Sequence, residues 1–318
     1  MRVRVSAPSH VHIGNPDMHG GVGRLYGTLG FTLEEPRLVI EAWRGERRVY
    51  SRSPFYREKG TMFLDKVLDE YNCEDVTVRV VKEIPWNIGL GATTALALSI
   101  GVAATSGFCK EVPGSIEELA ISLGRGTVSG LGVYGFKHGG FIVDGGFRGD
   151  RRGVPPLIYR AHVPARYKML VAVPLNHVER IRRLKSGEDR ILDSMPRMSE
   201  DLASKLSRIV LMGVIPNIQE GEWRLAGEWI TVFNRELGRY WSRAQGGIYC
   251  CRDAEDLIGK LLSRGALLAC QSSWGPTVYG LFEDPSESLL TEIKGEGVDA
   301  WLTSIDNRGA VIEVMGNG

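Results

Sequence analysis

The chain has 318 residues, 43 % of them hydrophobic and 24 % charged, which is long enough for two compact lobes and too apolar for a mainly disordered protein. Its 39 basic and 38 acidic residues leave a formal net charge of +1, so bulk electrostatics give no reason to expect a nucleic-acid or anionic-membrane partner. The longest apolar stretch, Ala95 to Ala104, is broken by Ser99 and Gly101 and falls far short of the ~20 residues of a bilayer span.

The opening Met1-Arg2-Val3-Arg4-Val5-Ser6 alternates like a half-buried strand rather than a secretory signal, so a cytoplasmic protein is expected. The 5 cysteines are odd in number and contain no C-x-x-C pair, which predicts reduced, buried thiols rather than a disulfide framework or a zinc site. There are 40 glycines, well above the usual ~7 %.

In chain order, strands are predicted at residues 2–7, 11–14, 27–33 and 38–42, separated by Gly- and Pro-containing turns. A helix is expected over 56–71, where Met62, Phe63, Val67 and Tyr71 recur at helical spacing, and a strand over 76–81. The segment Ile84-Pro85 to Thr94 is a glycine loop running into an Ala/Leu/Ile helix that ends near Ala104 and, being apolar all round, should be buried. Ser115 with Glu118 three residues on reads as a capping box opening a helix to Leu123.

The glycine-dense stretch 124–149 holds one clear strand, Phe141 to Asp144, and leads to Arg151-Arg152-Gly153-Val154-Pro155-Pro156, the expected interlobe boundary. The division is therefore 1–160 and 161–318. The second part reads as mixed α and β, with a buried strand at 167–173, helices within 199–212, 222–243, 253–264 and 286–294, and strands at 267–271 and 277–282. A terminal hairpin is predicted over 300–314 around Asp306-Asn307-Arg308-Gly309.

The strongest chemical signal is Gly89-Leu90-Gly91-Ala92-Thr93-Thr94. Glycines let backbone approach an anion, the helix start leaves N–H groups unpaired, and the helix dipole favours phosphate oxygens; the bland alternative is a turn whose threonines merely cap. The P-loop pattern is absent. Gly130-Leu131-Gly132-Val133-Tyr134-Gly135 fits G-x-G-x-x-G but lacks the strand before it and the helix after it that a dinucleotide site requires. Gln271-Ser272-Ser273-Trp274-Gly275-Pro276-Thr277 lies between two predicted strands, as either a second anion-facing turn or a plain β-turn.

Three separated segments together resemble the three motifs of the GHMP kinase superfamily: Ala7-Pro8 to Gly14 and Asp17, then Pro85 with Gly89-Leu90-Gly91-Ala92-Thr93-Thr94, then Gly275-Pro276-Thr277. The resemblance implies a two-lobed α+β, GHMP kinase-like fold, with an N-terminal ribosomal-protein-like βαβ lobe and a C-terminal ferredoxin-like lobe. One departure matters: many members carry S-G-x-D, whose Asp acts on the substrate hydroxyl, whereas Ser129-Gly130-Leu131-Gly132 ends in a glycine that can neither accept a proton nor orient a hydroxyl.

The chain is similar to a narrower group, the archaeal β-ribofuranosylaminobenzene 5'-phosphate synthases. The likeness is carried by Ser9-His10-Val11-His12, Gly23-Arg24-Leu25-Tyr26-Gly27, Leu33-Glu34-Glu35-Pro36, Gly124-Arg125-Gly126, His138-Gly139-Gly140 through Gly146, and Gln271 to Tyr279. It implies a pentosyltransferase of methanopterin biosynthesis, cytoplasmic and homodimeric. Such an enzyme condenses phosphoribosyl pyrophosphate with 4-aminobenzoate or 4-hydroxybenzoate and loses CO₂ and pyrophosphate. An ATP-dependent small-molecule kinase and a non-catalytic ligand-binding protein are the alternatives on the same scaffold.

On this resemblance, pyrophosphate is assigned to Gly89, Gly91, Thr93 and Thr94, with Mg²⁺ bridging its oxygens and Asp17 a candidate ligand. Arg24 and Arg125 are clamps or surface ion-pair residues, and His12 touches the benzoate or leaving group or is a hydrogen-bonded strand histidine. Lys137 and His138 reach the site from their loop or face solvent; Asp144 binds metal or ribose hydroxyls or forms a turn. Gln271, Ser272 and Ser273 are expected to face the ligand from the second lobe, and Arg24→Ala to weaken turnover more than folding.

Overall fold

A computed structural model describes all residues except 150–152, 188–189, 192–193, 287 and 317–318. Arg151 and Arg152 of the expected boundary therefore lie outside the described residues. Two sheets organise the chain, and the first has the order β11-β1-β2-β4-β3, with β5 pairing β2 and β6 pairing β5.

Its spine is a pair of long antiparallel strands, β1 (Arg2–Gly14) and β2 (Thr28–Arg44), each continuous where two strands were expected. Pro8 and Pro36 read as breaks, but the ladder accommodates them with a register shift between Pro8 and Ser9. That shift lets the two halves of β2 serve different neighbours. Residues 39–44 pair with β4 (Val76–Lys82), which carries the short parallel strand β3 (Arg48–Tyr50), and residues 28–31 pair with β5 (Phe141–Asp144), followed by β6 (Leu157–Ala161).

Against this sheet lie α1 (Pro54–Glu70) and α2 (Ala92–Thr105). The apolar circumference of α2 is explained by its neighbours: it packs on α1, β1, β2, α3 (Ile116–Ser122) and α4 (Leu131–His138), and every residue from Ala95 to Ala104 is buried. Ser115 caps α3 by accepting from Glu118 N at 3.1 Å, and the Glu118 carboxylate accepts from Gly114 N at 2.8 Å. Helix α4 was not anticipated within the glycine-dense stretch. Small residues there let it lie close to β1 and α2, and Ser129 and Asp144 accept the N–H groups of Leu131 and Gly130 at its start.

The second sheet has the order β10-β7-β9-β8, all antiparallel: β10 (Val298–Ser304), β7 (Tyr167–Pro174), β9 (Val278–Glu283) and β8 (Leu268–Gln271). Alternation explains why β7 reads as a continuous apolar run. Met169, Val171 and Val173 join the main core, while Leu170 and Ala172 face a second cluster with Ala254, Leu257 and Leu261.

Helix α5 (Val178–Ser186) follows β7; α6 (Glu200–Arg208), a π-helical turn (Ile209–Val214) and α7 (Ile215–Glu220) lead to the long α8 (Trp223–Gln245). Then come α9 (Arg252–Ser263) and α10 (Ser288–Ile293).

Two expectations are corrected. The terminal hairpin does not form: β10 pairs with β7, and β11 (Val311–Met315) crosses to the first sheet and pairs with β1. The turn chemistry is real, since the Asp306 carboxylate accepts from Arg308 N and Gly309 N at 3.0 and 2.6 Å. Its buried carboxylate is also ion-paired to Arg37 of β2, which directs the following strand to the other sheet. In addition, Cys73 and Cys109 form a disulfide, because the turns that end α1 and α2 lie side by side. Cys250, Cys251 and Cys270 are free.

Candidate active site

A cleft of about 500 Å³ opens where the two sheets meet, and each of the three sequence motifs supplies a wall. From β1 come His10 and His12, two residues apart and therefore on one face of the strand. The glycine loop contributes Gly89, Gly91 and, from the first turn of α2, Thr94. Gly91 is the N-cap of α2 with φ 73°, a left-handed conformation glycine adopts without strain, and it borders the cleft at a helix start, where the first N–H groups lack intrahelical partners. Gln271, Ser273 and Trp274 line the opposite side.

One hydroxyl joins the motifs. Ser272 Oγ donates to Gly89 O at 2.6 Å and accepts from His12 N at 3.0 Å, while Ser273 N donates to His12 O at 3.3 Å and His10 N to Leu90 O at 3.3 Å. Asn234 of α8 adds a second junction, donating to Ile13 O at 2.8 Å and Gln271 O at 3.1 Å and accepting from Gln271 N at 3.1 Å.

The cleft has two chemically distinct ends. At the glycine-loop end stand Arg125, whose Nε lies 3.3 Å from Thr94 Oγ1, the rest of the 124–129 loop, and Lys185 from α5. At the other end, Leu237, Gly238 and Trp241 of α8 meet Tyr26, Tyr249 and Trp274, with the two indoles edge-to-face at 4.8 Å between ring centroids. Among the described residues lining the cleft there is no Asp or Glu, so its charge is that of Arg125, Lys185 and a helix N-terminus, a setting for anions. Burial, reinforced by Lys185, lowers the pKa of His10 to about 4; burial, with His10 and Lys185, lowers that of His12 to about 3. Both residues are half-buried at the cleft wall, and their imidazoles are neutral at pH 7.

Of the sequence candidates, His12, Arg125, Gly89, Gly91, Thr94, Gln271 and Ser273 line the cleft. Ser272 lies just behind it, fully buried, and Thr93 stands in the first turn of α2 without lining it. The remaining charged candidates are engaged elsewhere. Arg24 donates to Gly145 O at 2.7 Å and Gly146 O at 2.9 Å. The Asp17 carboxylate accepts from His19 N and Gly20 N at 2.8 and 2.7 Å, and that of Asp144 from Gly146 N and Gly130 N at 3.0 and 2.9 Å. Burial nevertheless raises the pKa of Asp144 to about 6. Lys137 pairs with Glu117 at 2.7 Å and, with His138, borders a separate shallow depression.

Mg²⁺ is expected to take one or two carboxylates beside phosphate oxygens and water. The cleft's own donors are amide, hydroxyl and imidazole groups, and among the described residues no cluster of three His, Cys, Asp or Glu could hold a metal. These residues do not fit a cation held by the protein alone. Reading the sequence assigned no role to His10, Asn15, Lys185, Asn234 or Trp241. The spacing of Asn234, Leu237, Gly238, Trp241 and Gln245, all on one face of α8, was the available signal.

The comparisons agree with this architecture. Residues 214–298 match the family model described as GHMP kinases C terminal. The mevalonate kinase of Methanococcus jannaschii superposes with a TM-score of 0.61 at 13 % identity, covering 96 % of this chain and 98 % of that one. The chain thus has a GHMP kinase-like fold, and residues 214–298 resemble the C-terminal domain of those kinases.

Two curated relatives match nearly the whole chain, both named β-ribofuranosylphenol 5'-phosphate synthase. That of Archaeoglobus fulgidus is 28 % identical over 98 % of this chain and all of its own length. That of Methanothermobacter thermautotrophicus is 29 % identical over 96 % and 97 %.

Proposed function

We propose that the protein is a pentosyltransferase that joins phosphoribosyl pyrophosphate to 4-hydroxybenzoate or 4-aminobenzoate, with loss of CO₂ and diphosphate, in methanopterin-type cofactor synthesis. The nearly full-length synthase relatives support the reaction class. The observation that carries the reading is the pairing, in one cleft, of a glycine-loop helix start and two cations with an apolar aromatic end and no lining carboxylate among the described residues.

The reaction needs that combination. As the anomeric C–O bond breaks, the ribose carbon becomes cation-like and negative charge collects on the diphosphate; the arene carbon bearing the carboxylate attacks, and loss of CO₂ restores the ring. The chain's task is to hold the diphosphate, keep the two reactants in contact and exclude water. The N–H groups at the start of α2, with Thr94 and Arg125, are the proposed diphosphate grip. Trp241, Trp274 and Leu237 form the proposed slot for the arene.

Mg²⁺ bound to diphosphate oxygens would neutralise part of the leaving-group charge, and it would enter with the substrate rather than reside on Asp17 or Asp144. The proposed assembly is a homodimer.

Carboxyl-labelled benzoates incubated with and without phosphoribosyl pyrophosphate test the reading. Label release that depends on the sugar diphosphate is expected. ATP-dependent phosphorylation of a small alcohol, with no release of label, would transfer the site to kinase chemistry.

A further inference from the structure

We infer that His10 is a catalytic residue of this cleft: its imidazole, wedged between the glycine loop and α4, captures a proton when a diphosphate group enters and passes it to the departing diphosphate oxygen. The first half stands on the site alone, and the second rests on the reaction proposed above.

The placement of the ring carries the inference. A Cβ added at Gly91 would overlap the His10 ring, and one added at Gly132 would lie 3.1 Å from its Cε1 and 2.8 Å from Thr94 Cγ2. His10 therefore fills the space over the two glycines that flank the phosphate-facing helix start. Gly132 is the position at which the sequence lacks the superfamily carboxylate, so the group with a titratable nitrogen at this point is an imidazole from β1. The backbone fixes it there through His10 N to Leu90 O at 3.3 Å. Among the described residues the His10 ring makes no hydrogen bond, and it borders the cleft beside His12, whose Nδ1 is buried without a partner.

Among the described residues, the charged and titratable groups around it are His12 on β1, Lys185 on α5 and Arg125 in the 124–129 loop; the adjoining parts of the glycine loop, α4 and the 271–274 turn bring none. Burial, with Lys185, holds His10 neutral. A polyanion at the start of α2 reverses the balance, because it neutralises the cations and adds negative charge beside the ring. The imidazolium then hydrogen-bonds the bridging oxygen.

When the anomeric C–O bond breaks, its electron pair stays on that oxygen, which takes the imidazolium proton. The arene supplies the electrons of the new C–C bond, and CO₂ departs with its bond pair returned to the ring. His10 ends neutral, and the proton gained from solvent leaves on the diphosphate. Kinase-type deprotonation runs the other way, and a carboxylate at position 132 would repel the leaving group.

The test is calorimetric titration of inorganic diphosphate into the whole protein near pH 7, in buffers of unlike ionisation enthalpy. Wild type is expected to take up close to one proton per site, His12→Asn to retain the uptake and His10→Asn to lose it. If His10→Asn does not fold, NMR of histidine-labelled wild type reads the same event as a change of one ring from neutral to charged on adding diphosphate, with His12→Asn aiding assignment.

In turnover, His10→Asn is expected to lower kcat by roughly 10²-fold or more while the KM for the sugar diphosphate moves less than about ten-fold. Uptake absent from wild type, uptake unchanged in His10→Asn, or unimpaired turnover by that variant overturns the inference. Proton capture by a wild type that releases no CO₂ supports the assignment of His10 and overturns the reaction on which the transfer step rests.

Discussion

Ser272→Ala isolates the junction on which the cleft is built. The hydroxyl is fully buried, gives its proton to Gly89 O at 2.6 Å and accepts from His12 N at 3.0 Å. Alanine removes both partners at once and leaves a glycine-loop carbonyl and a strand N–H unsatisfied. Each buried orphan costs ~1–3 kcal/mol. Because the cleft lies alongside and water can reach part of the gap, the lower half of the summed range applies, about 2–4 kcal/mol.

For a chain of 318 residues this corresponds to a fall in Tm of roughly 3–6 °C. The loss should be matched by weaker inorganic-diphosphate binding, because Gly89 is no longer tied to the turn opposite. Thermal or urea unfolding gives the first quantity and calorimetric titration the second. A variant with unchanged Tm and unchanged diphosphate affinity would refute the view that this hydroxyl registers the glycine loop against β1. A variant that is destabilised but binds normally would reduce the contact to a fold element.

Arg24→Ala should lower stability by about 1–3 kcal/mol, since its guanidinium serves the carbonyls of Gly145 and Gly146, and should leave diphosphate affinity within about three-fold; a ten-fold loss of affinity at constant Tm would return Arg24 to the ligand. Trp241→Ala should raise the KM for the aromatic acid by roughly ten-fold, with diphosphate binding little changed; the reverse pattern in steady-state kinetics would move the arene to the other end. The pH dependence of stability follows from His10 and His12, whose native pKa values of about 4 and about 3 lie below the ordinary 6.5. The unfolded chain binds more protons across that interval, so stability is greatest above pH 6.5 and is lost as pH falls toward 4 for His10 and toward 3 for His12. His10→Asn should flatten the fall, and unfolding midpoints that decline equally in wild type and variant below pH 6.5 would contradict it.

Local chemistry in the sequence reported elements well where one neighbour decides them. Helix α2 is apolar around its whole circumference because five elements surround it, and Ser115 with Glu118 marks the start of α3 by the bond they form. Pairing over distance was less legible. Pro8 and Pro36 carry the marks of turns, yet β1 and β2 run through them because the proline positions coincide with a register shift in the ladder. Asp306-Asn307-Arg308-Gly309 has hairpin composition, but Arg37, remote in sequence, captures Asp306 and sends β11 to the first sheet. The Cys73–Cys109 bond is of the same kind, two turns brought together by helices that each end there.

The candidate site divides along a physical line. Residues proposed for what their backbone or a small hydroxyl offers, namely Gly89, Gly91, Thr94 and Ser273, converge on the cleft, because a motif of small residues encodes the shape of the chain itself. Of the proposed charges Arg125 also lines the cleft, and the others do not. Asp17 and Asp144 sit beside glycine turns with open N–H groups, and Arg24 beside two free carbonyls, so each finds nearby backbone partners for its charge. Asp144 illustrates the cost: burial raises its pKa to about 6 even with donors from Gly146, Gly130 and Thr28. With these carboxylates drawn into the scaffold, the charged and imidazole groups lining the cleft among the described residues are Arg125, Lys185 and two neutral histidines. A base for an alcohol would have to come from imidazoles that burial, with Lys185, holds neutral and makes reluctant to accept a proton, whereas a leaving diphosphate offsets that reluctance by its own charge.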